Sequence, residues 1–429
     1  MARRMKDSGV EWIGEIPEEW EVIPHKYIMH RKKEICDKYN NEDIISLTMN
    51  GVIVRDLINP IGKMPASFDG YQKVYAGNLL MCLFDIDVTS RCIGYIRNNG
   101  LTSPAYSQFV VDNCNYAQYY NYLLRMIDDG KYFLHLSKNL RNSLTEENFG
   151  VIKTVRPPIE EQKKIADFLD EKVGEIDSVI ARTKETIEDY KKYKQAIITE
   201  VVTKGLNPDV EMKDSENDWI GSIPSHWRLT KVKVISEKVT DGAHTSPETN
   251  NGIYDFISTV NLGNHMIDFE DCLKTSESSY HQLVKNGCKP QINDVLISKD
   301  GTVGKTVVVD FEGEFVVASS LVIIRPNLEL VNPYYLDYNL QAKFVQEQLV
   351  MLMQGAGLKR VSVEKNANLP VLLPLLAEQK EIVEYLDERC PEIDKLIAKK
   401  EELLADLENY KKSLIYEYVT GKKKIRDDI

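Results

Sequence analysis

The most regular pattern of apolar positions lies in two stretches, residues 173–201 and 390–418. In each stretch the seam positions follow one another at alternating steps of three and four residues, and most positions between them are polar or charged. A sustained alternation of this kind is typical of a coiled coil, whereas an ordinary surface helix has a broader apolar face. The predicted seam residues are Ile176, Ile180, Ile187, Tyr190, Ile197, Ile393, Ile397, Leu404, Leu407 and Leu414.

The two stretches belong to a larger duplication. Residues 157–203 align without a gap with residues 374–420. Each copy places a lysine in the seam, Lys194 and Lys411, and such a residue restricts register and choice of partner at some cost in stability.

A glycine and a proline occupy matching positions near the start of the two copies, Gly174 and Pro391. We therefore expect a short first helix to bend at this point into a long one. About 30 residues at roughly 1.5 Å rise give the long helix a length of about 45 Å.

A second motif also occurs twice and in the same order. The pattern W-I-G-x-I-P-x-x-W covers residues 12–20 and again residues 219–227. After each copy comes a segment with buried-strand signals, at Asn78-Leu79-Leu80 and at residues 294–297, and with a short helical pattern rich in tyrosine. Each segment therefore reads as a small unit of strands with one or two helices.

Together these patterns predict an α+β chain with a pseudo-twofold internal repeat. A first globular domain covers residues 1–156 and a first helical spacer residues 157–206. A second domain covers residues 207–373, and a second spacer with the C-terminal tail covers residues 374–429. We expect the two long helices to form an antiparallel coiled coil.

Charge and cysteine content narrow the function classes. The formal net charge is −12, and no segment is a basic domain, so a large phosphate-neutralising surface is not evident. Any contact with DNA would use local basic clusters, with other subunits supplying much of the backbone contact. The apolar runs are too short for a membrane span, the basic start lacks a signal-peptide core, and the seven cysteines are scattered. We expect a cytoplasmic protein with reduced thiols and no metal site.

Two short motifs suggest enzymatic chemistry but are incomplete. Residues 301–306 resemble the end of a phosphate-binding loop, yet Lys299 stands where that loop requires glycine. A turn between two strands explains the same glycines. Asn332-Pro333-Tyr334-Tyr335 resembles the catalytic loop of amino-group methyltransferases, but asparagine followed by proline is also a common helix start. We favour the structural interpretation of both motifs and predict no catalytic residue.

The candidate nucleic-acid contacts are polar and basic residues in predicted turns. Arginine and lysine reach guanine edges or phosphates, and asparagine reads adenine. The basic pair Lys359-Arg360 and its first-domain counterpart Arg141 are favoured because they recur at matching positions, although a solvated charged turn explains either one alone. The full set is Arg91, Lys138, Asn139, Arg141, Thr240, His244, Lys299, Lys305, Lys359 and Arg360.

The order of the repeated elements resembles the specificity subunit of type I restriction-modification enzymes. The resemblance covers essentially the whole chain and rests on the W-I-G-x-I-P-x-x-W motifs and on the P-x-x-x-E-Q motifs at 157–162 and 374–379. The D-G-x-H turn at 241–244 and the stretch 294–305 also look like parts of that family's target-recognition domains.

The resemblance implies a non-catalytic protein in which each domain reads one half of a bipartite DNA target, the first domain reading the 5′ half. The helices would set the unread gap. It further implies two modification (methyltransferase) subunits and, in the full complex, two restriction (translocase and nuclease) subunits as partners. S-adenosylmethionine and ATP with Mg would bind to those partners, so no cofactor is expected on this chain.

Two other function classes stay open at this point. The acidic balance is compatible with a coiled-coil adaptor that assembles proteins and never reads DNA. A stand-alone enzyme is disfavoured because neither a methyl-donor motif nor a nucleotide motif is complete. Methylation profiling with and without the gene separates DNA recognition from the adaptor.

Overall fold

A computed structural model describes residues 3–425 except 50, 61, 63, 90, 137–141, 250–251, 264 and 354–358. The chain divides into two compact units, residues 1–184 with 402–429, and residues 185–401. Each unit contains strands, short helices and segments of two long helices. The first long helix is Ile159–Lys204 and the second long helix is Leu376–Val419.

The domain of the first unit is built around an antiparallel four-stranded sheet. Its strands lie in the order Met29–Lys32, Ser107–Val111, Leu79–Met81 and Ile93–Tyr95. The other strands are Met5–Asp7, Glu15–Pro17, Glu21–Pro24, Ile45–Thr48, Gly51–Val54, Gln72–Val74, Gly100–Thr102 and Lys153–Arg156. The short helices are His25–Tyr27, Ala117–Asp129, Tyr132–Leu136 and Glu146–Val151. The predicted strand at 78–80 is therefore Leu79–Met81.

The domain of the second unit repeats this sheet. Its strands lie in the order Ser236–Asp241, Leu321–Pro326, Val295–Ser298 and Thr306–Val308. The other strands are Met212–Asp214, Ser222–Pro224, Arg228–Lys231, Tyr254–Ile257, Leu273–Thr275, Phe315–Val317 and Pro370–Leu373. The short helices are Val232–Val234, Thr259–Asn261, Glu277–Lys285, Pro333–Gln341, Lys343–Leu352 and Val363–Ala367.

The predicted bend at Gly174 and Pro391 is not a helix boundary. Each long helix runs uninterrupted through this position, so the prediction of a separate short helix is wrong. Pro391 lacks an N–H and frees the carbonyl of Asp387, but both residues are exposed, so that carbonyl is open to solvent. Burial of the adjacent Cys390 and Ile393 favours continuing the helix.

The seam positions of the long helices are buried or half-buried within each unit. In the first unit Ile176 and Ile180 share a core with Leu414 and Ile415. The ion pairs Asp177 to Lys411 and Lys184 to Glu408 show that the two helix segments run antiparallel there. In the second unit, the core contains Ile198, Val201, Leu386 and Cys390.

Both seam lysines form the same ion pair. The Lys411 ammonium lies 2.7 Å from the Asp177 carboxylate, and the Lys194 ammonium lies 2.7 Å from the Asp394 carboxylate. Asp177 and Asp394 are matching residues of the sequence duplication, as are the two lysines. The pattern is therefore reciprocal, since each copy supplies the lysine of one pair and the aspartate of the other.

The repeated W-I-G and P-x-x-x-E-Q motifs meet at the start of each long helix. The indole N–H of Trp20 donates to Glu161 at 2.9 Å, and that of Trp227 donates to Glu378 at 3.0 Å. Both tryptophans are fully buried. A buried indole N–H requires an acceptor, so the duplicated glutamate explains why the two motifs occur together.

The glutamine of each P-x-x-x-E-Q motif is also fully buried and binds backbone groups on two segments. Gln162 accepts from the N–H of Tyr116 and donates to the carbonyl of Pro157. Gln379 accepts from Asn332 and donates to Leu330 and Pro374. The start of each long helix is thereby fixed to its own domain.

Among the described residues, no helix is both long and apolar enough to cross a lipid bilayer.

Candidate nucleic-acid interface

Loops of the second domain converge beside the C-terminal end of strand Val295–Ser298. We call residues 240–244, 298–305, 318–320 and 359–361 the loop cluster. Backbone hydrogen bonds join its parts: Ala243 N–H donates to Val317, Ser319 N–H donates to Ala243, and Val361 N–H donates to Lys299.

The D-G-x-H turn requires its glycine. A Cβ at Gly242 would collide with the backbone carbonyl oxygens of Val317 and Ala318. The backbone can therefore approach the neighbouring segment closely only with glycine at this position. The result is a tight turn that carries His244 on its exposed side.

A single carboxylate orients two of the predicted contact residues. Asp241 lies 3.0 Å from Nε2 of His244 and 3.1 Å from Nζ of Lys299. The side chain of His244 is 70% exposed, whereas that of Lys299 is 6% exposed. The ammonium of Lys299 is therefore enclosed and holds the turn in place, while His244 remains accessible to a ligand. Thr240, at the end of the same strand, is half-buried.

A second carboxylate holds Arg360. The guanidinium donates through Nε and Nη2 to the two oxygens of Asp300, at 2.7 and 3.1 Å. Asp300 is buried, but the Arg360 side chain is 57% exposed. Among the described residues, the other three N–H groups of Arg360 find no acceptor, so the guanidinium offers a fixed and partly free fork. The neighbouring Lys359 is exposed.

The resemblance of residues 301–306 to a phosphate-binding loop has a structural explanation. The Ser298 hydroxyl donates to the carbonyl of Thr302 and accepts from the N–H of Lys305, and Gly304 N–H donates to the carbonyl of Ser298. These backbone groups are used within the turn, so they do not form a phosphate cradle. The ammonium of Lys305 donates to the carbonyl of Leu262 at 2.8 Å. The side-chain ammonium of Lys305 thus binds outside the loop cluster, although its backbone belongs to the cluster.

The Asn332-Pro333 motif is a helix cap. The side-chain oxygen of Asn332 accepts from the N–H groups of Tyr334 and Tyr335, and Pro333 is the first residue of the helix. The structural interpretation of this motif is confirmed.

The first domain contains an equivalent loop junction. Ile86 N–H donates to Asn142, and Leu144 N–H donates to Leu83. The matching bonds in the second domain are Gly301 to Lys359 and Val361 to Lys299. Asn142 rather than Arg141 therefore corresponds to Lys359, one residue away from the predicted alignment. Lys138, Asn139 and Arg141 lie outside the described residues.

Arg91 lies elsewhere in the first domain. It is half-buried beside strand Ile93–Tyr95 and lines a cavity of about 900 Å³.

Among the ten predicted contacts, the structure brings five together, namely Thr240, His244, Lys299, Lys359 and Arg360. The acidic residues Asp241 and Asp300, which position them, were missed. The available signal was an aspartate directly before glycine in both turns.

Comparison with known proteins shows which proteins this chain is similar to. The family model described as Type I restriction modification DNA specificity domain matches residues 224–409. The chain carries a type I restriction-modification DNA specificity domain. The resemblance predicted from the sequence is therefore confirmed.

Relatives match over longer parts of the chain. The putative type I restriction enzyme MjaX specificity subunit of Methanocaldococcus jannaschii is 26% identical over 434 residues, covering 96% of this chain and 96% of that protein. The type I restriction enzyme EcoBI specificity subunit of Escherichia coli is 24% identical over 272 residues, covering 62% of this chain and 57% of that protein.

A solved structure has a similar fold. It comes from work on complex assembly and conformational transition of the type I R-M system, and its chain superposes with a TM-score of 0.65 at 15% identity. The match covers 95% of this chain and 99% of that chain. The mixed helix and strand content predicted from the sequence is thus found in a whole-chain structural relative.

Proposed function

We propose that this chain is the sequence-specific DNA-recognition subunit of a type I restriction-modification complex. The observation that carries the proposal is the doubled architecture, in which the same sheet, loop junction and helix start occur once in each domain. Two similar domains on one chain suit a target with two separate halves. The likeness to specificity subunits over nearly the whole chain supports the same function.

The chemistry of the loop cluster supports base or phosphate contact in the second domain. Arg360 and His244 are exposed, and the buried carboxylate of Asp300 and the half-buried carboxylate of Asp241 hold them in place. Fixing a long side chain before binding reduces the entropy that binding must overcome. Such preorganised donors are well suited to the major-groove edges of base pairs.

We also propose that the long helices form an antiparallel coiled coil that sets the unread gap, and that the pseudo-twofold repeat extends through the whole chain. The burial of the seam and the two reciprocal ion pairs support this arrangement. In this proposal the chain is non-catalytic. Two modification subunits and two restriction subunits assemble on it and bind S-adenosylmethionine and ATP with Mg.

A genome-wide methylation map tests the proposed function. Cells that carry the gene should show one bipartite methylated motif, and deletion of this gene alone should remove it. Persistence of every methylated motif after deletion would favour an adaptor that does not read DNA.

The non-catalytic assignment has a separate test. The purified chain is incubated with target DNA, S-adenosylmethionine and ATP, and we expect neither methyl transfer nor ATP hydrolysis. Turnover that co-purifies with this chain and disappears on its removal would contradict the assignment.

A further inference from the structure

A large cavity in the first unit has an unusual distribution of charge. It has a volume of about 900 Å³ and lies between the strand Ile93–Tyr95, the helix Ala117–Asp129 and the long-helix segments of the same unit. Five cationic side chains line it: Arg91, Arg97, Arg125, Lys184 and Lys411. Only three acidic side chains do so: Asp170, Asp177 and Glu408. We call it the arginine cavity.

The acidic residues of the cavity are already engaged. Asp177 pairs with Lys411 at 2.7 Å, and Glu408 lies 4.0 Å from Lys184. Asp170 accepts hydrogen bonds from the Tyr122 hydroxyl and the Gln118 amide.

The arginines are less well compensated. Arg125 lies 3.7 Å from Asp129, which is outside the cavity lining. Among the described residues, Arg91 and Arg97 have no ion-pair partner. Two guanidinium groups therefore have no carboxylate in direct contact within the described part of the chain.

Holding these groups together has a free-energy cost. Burial lowers the pKa of the Arg91 guanidinium and the like charge of Arg125 lowers it further, and the more distant carboxylates of Asp129, Asp128 and Asp177 offset this only in part. A half-buried arginine without a partner loses hydration and gains no ion pair in return. An anion bound in the cavity would supply the missing ion pair and offset the lost hydration.

We propose that the arginine cavity binds phosphate groups of the DNA backbone. The inference rests on the proposed DNA-recognition function and assigns it a second point of contact, separate in sequence from the loop junction of the first domain. A guanidinium fork matches the oxygens of a phosphodiester. Successive phosphates along a strand provide one negative charge for Arg91 and one for Arg97, whereas a lone carboxylate would neutralise only one of them.

The corresponding cavity of the second unit lacks this feature. It has a volume of about 660 Å³, and its cations include Lys194, paired with Asp394, and Lys305, bound to the carbonyl of Leu262. No arginine is among the described residues that line it. Phosphate binding at this position is therefore a property of the first half of the chain alone.

The test compares the salt dependence of DNA binding by three full-length proteins: the wild type, Arg91→Gln with Arg97→Gln, and a control with Lys395→Gln and Lys399→Gln. The control removes the same charge from exposed helix positions that line neither cavity. Binding to a target duplex and to a scrambled duplex is measured between about 50 and 200 mM salt.

Each lost phosphate contact should reduce the slope of log Kobs against log salt by about 0.9. In the double arginine variant we expect the magnitude of this slope to fall by nearly 2, with the ratio of target to scrambled binding unchanged. The lysine control should retain the wild-type slope. The single variant Arg97→Gln changes an exposed position and should show about half of the slope change of the double variant. It keeps the test decisive if the double variant does not fold.

An unchanged slope in the arginine variants, or an equal loss in the lysine control, would overturn the proposal. A changed preference for target over scrambled DNA at constant slope would also overturn it, since it would assign the arginines to base reading. If the wild type does not distinguish the two duplexes, the proposed recognition function fails, and the slopes still decide whether the cavity binds phosphate.

Discussion

Buried and half-buried carboxylates determine which cations of the loop cluster are available to a ligand. Lys299 and Arg360 lie on either side of the same short backbone junction, yet only Arg360 is exposed. Asp300 fixes its guanidinium through two hydrogen bonds. A carboxylate that holds an arginine in this way is a positioning residue for recognition.

Asp300→Asn should weaken sequence discrimination more than affinity. The asparagine cannot accept both hydrogen bonds as a carboxylate does, so Arg360 becomes mobile. We expect selectivity at one base pair of one half-site to fall about tenfold, equivalent to about 1.4 kcal/mol. Binding to scrambled DNA should be unchanged or slightly stronger because one negative charge is lost. A binding selection from random duplexes measures the effect.

Asp294→Asn is the matched control, because Asp294 holds Arg325 through two hydrogen bonds of 2.9 Å away from the loop cluster. It should lower stability and leave selectivity intact. Equal selectivity profiles for wild type and Asp300→Asn would exclude the positioning role.

A buried histidine makes the first unit sensitive to acid. His25 is fully buried, and burial lowers its pKa from 6.5 to about 4. Between these pH values the unfolded chain binds a proton that the folded chain does not, so stability falls as the pH falls. The expected loss from His25 is about 3 kcal/mol across this range.

His25→Phe should remove this loss. The difference in unfolding free energy between the variant and the wild type, measured in urea from pH 7 to pH 4, should move by about 3 kcal/mol in favour of the variant. His30→Gln, at an exposed position, should follow the wild type. Parallel curves for wild type and His25→Phe would contradict the assignment.

The sequence identified the cations of the loops but not their roles. Lys299 and Arg360 have the same charge and similar neighbours in sequence. Their difference depends on Asp241 and Asp300, which approach them through tertiary contacts of the fold. Turn position and charge therefore predict where the candidate site lies, whereas the exposure of each cation depends on packing that no local pattern encodes.

At the scale of elements, the P-x-x-x-E-Q motif fastens each domain to its helix. Gln379 is fully buried and makes three hydrogen bonds to backbone groups. Gln379→Ala leaves those groups without partners, so we expect the free energy of unfolding to fall by about 3 kcal/mol. Urea unfolding checks this value. Glu381→Ala, an exposed substitution on the same helix, should change stability by less than about 0.5 kcal/mol. An equally small effect of both substitutions would show that the motif does not fasten the helix.

The reciprocal seam pairs should contribute measurable coupling. Lys194 is 12% exposed and Asp394 is 29% exposed, so the pair is screened less than a surface pair. A double-mutant cycle with Lys194→Ala and Asp394→Ala should give a coupling of about 1–2 kcal/mol. The exposed pair Lys172 with Glu175 should give about 0.3–0.5 kcal/mol. Equal coupling in both cycles would mean that the seam lysines do not restrict register.

The periodicity predicted both long helices because their seam residues are repeated and regular. It failed at Gly174 and Pro391, where residue type alone indicated a bend. Proline and glycine weaken a helix by fixed local amounts, whereas burial of the neighbouring seam residues opposes that effect. Whether the helix continues depends on which contribution is larger, and the sequence reveals only the local weakening by proline and glycine.

At the scale of the whole molecule, the first compact unit combines two distant segments of the chain, whereas the second unit is one continuous segment. The first unit includes residues 402–429, and the second unit begins at residue 185, within the first long helix. The domain boundaries predicted from the sequence assign both helices to spacers outside the domains. A helix shows its apolar seam in the sequence but not the identity of the segment that covers it, so this division could not be predicted.

The proposed gap-setting role of the helices makes a prediction about the target. Four residues inserted at matching positions after Lys184 and after Glu401 would lengthen each helix by about 6 Å, close to two base pairs. We expect the methylated motif to gain about two unread base pairs while both half-sites stay the same. A seven-residue insertion preserves the seam phase and should add about three base pairs. Sequencing of methylated sites measures both changes. An unchanged gap in a stable seven-residue variant would exclude the helices as the determinant of spacing, because the seam is intact and only its length differs.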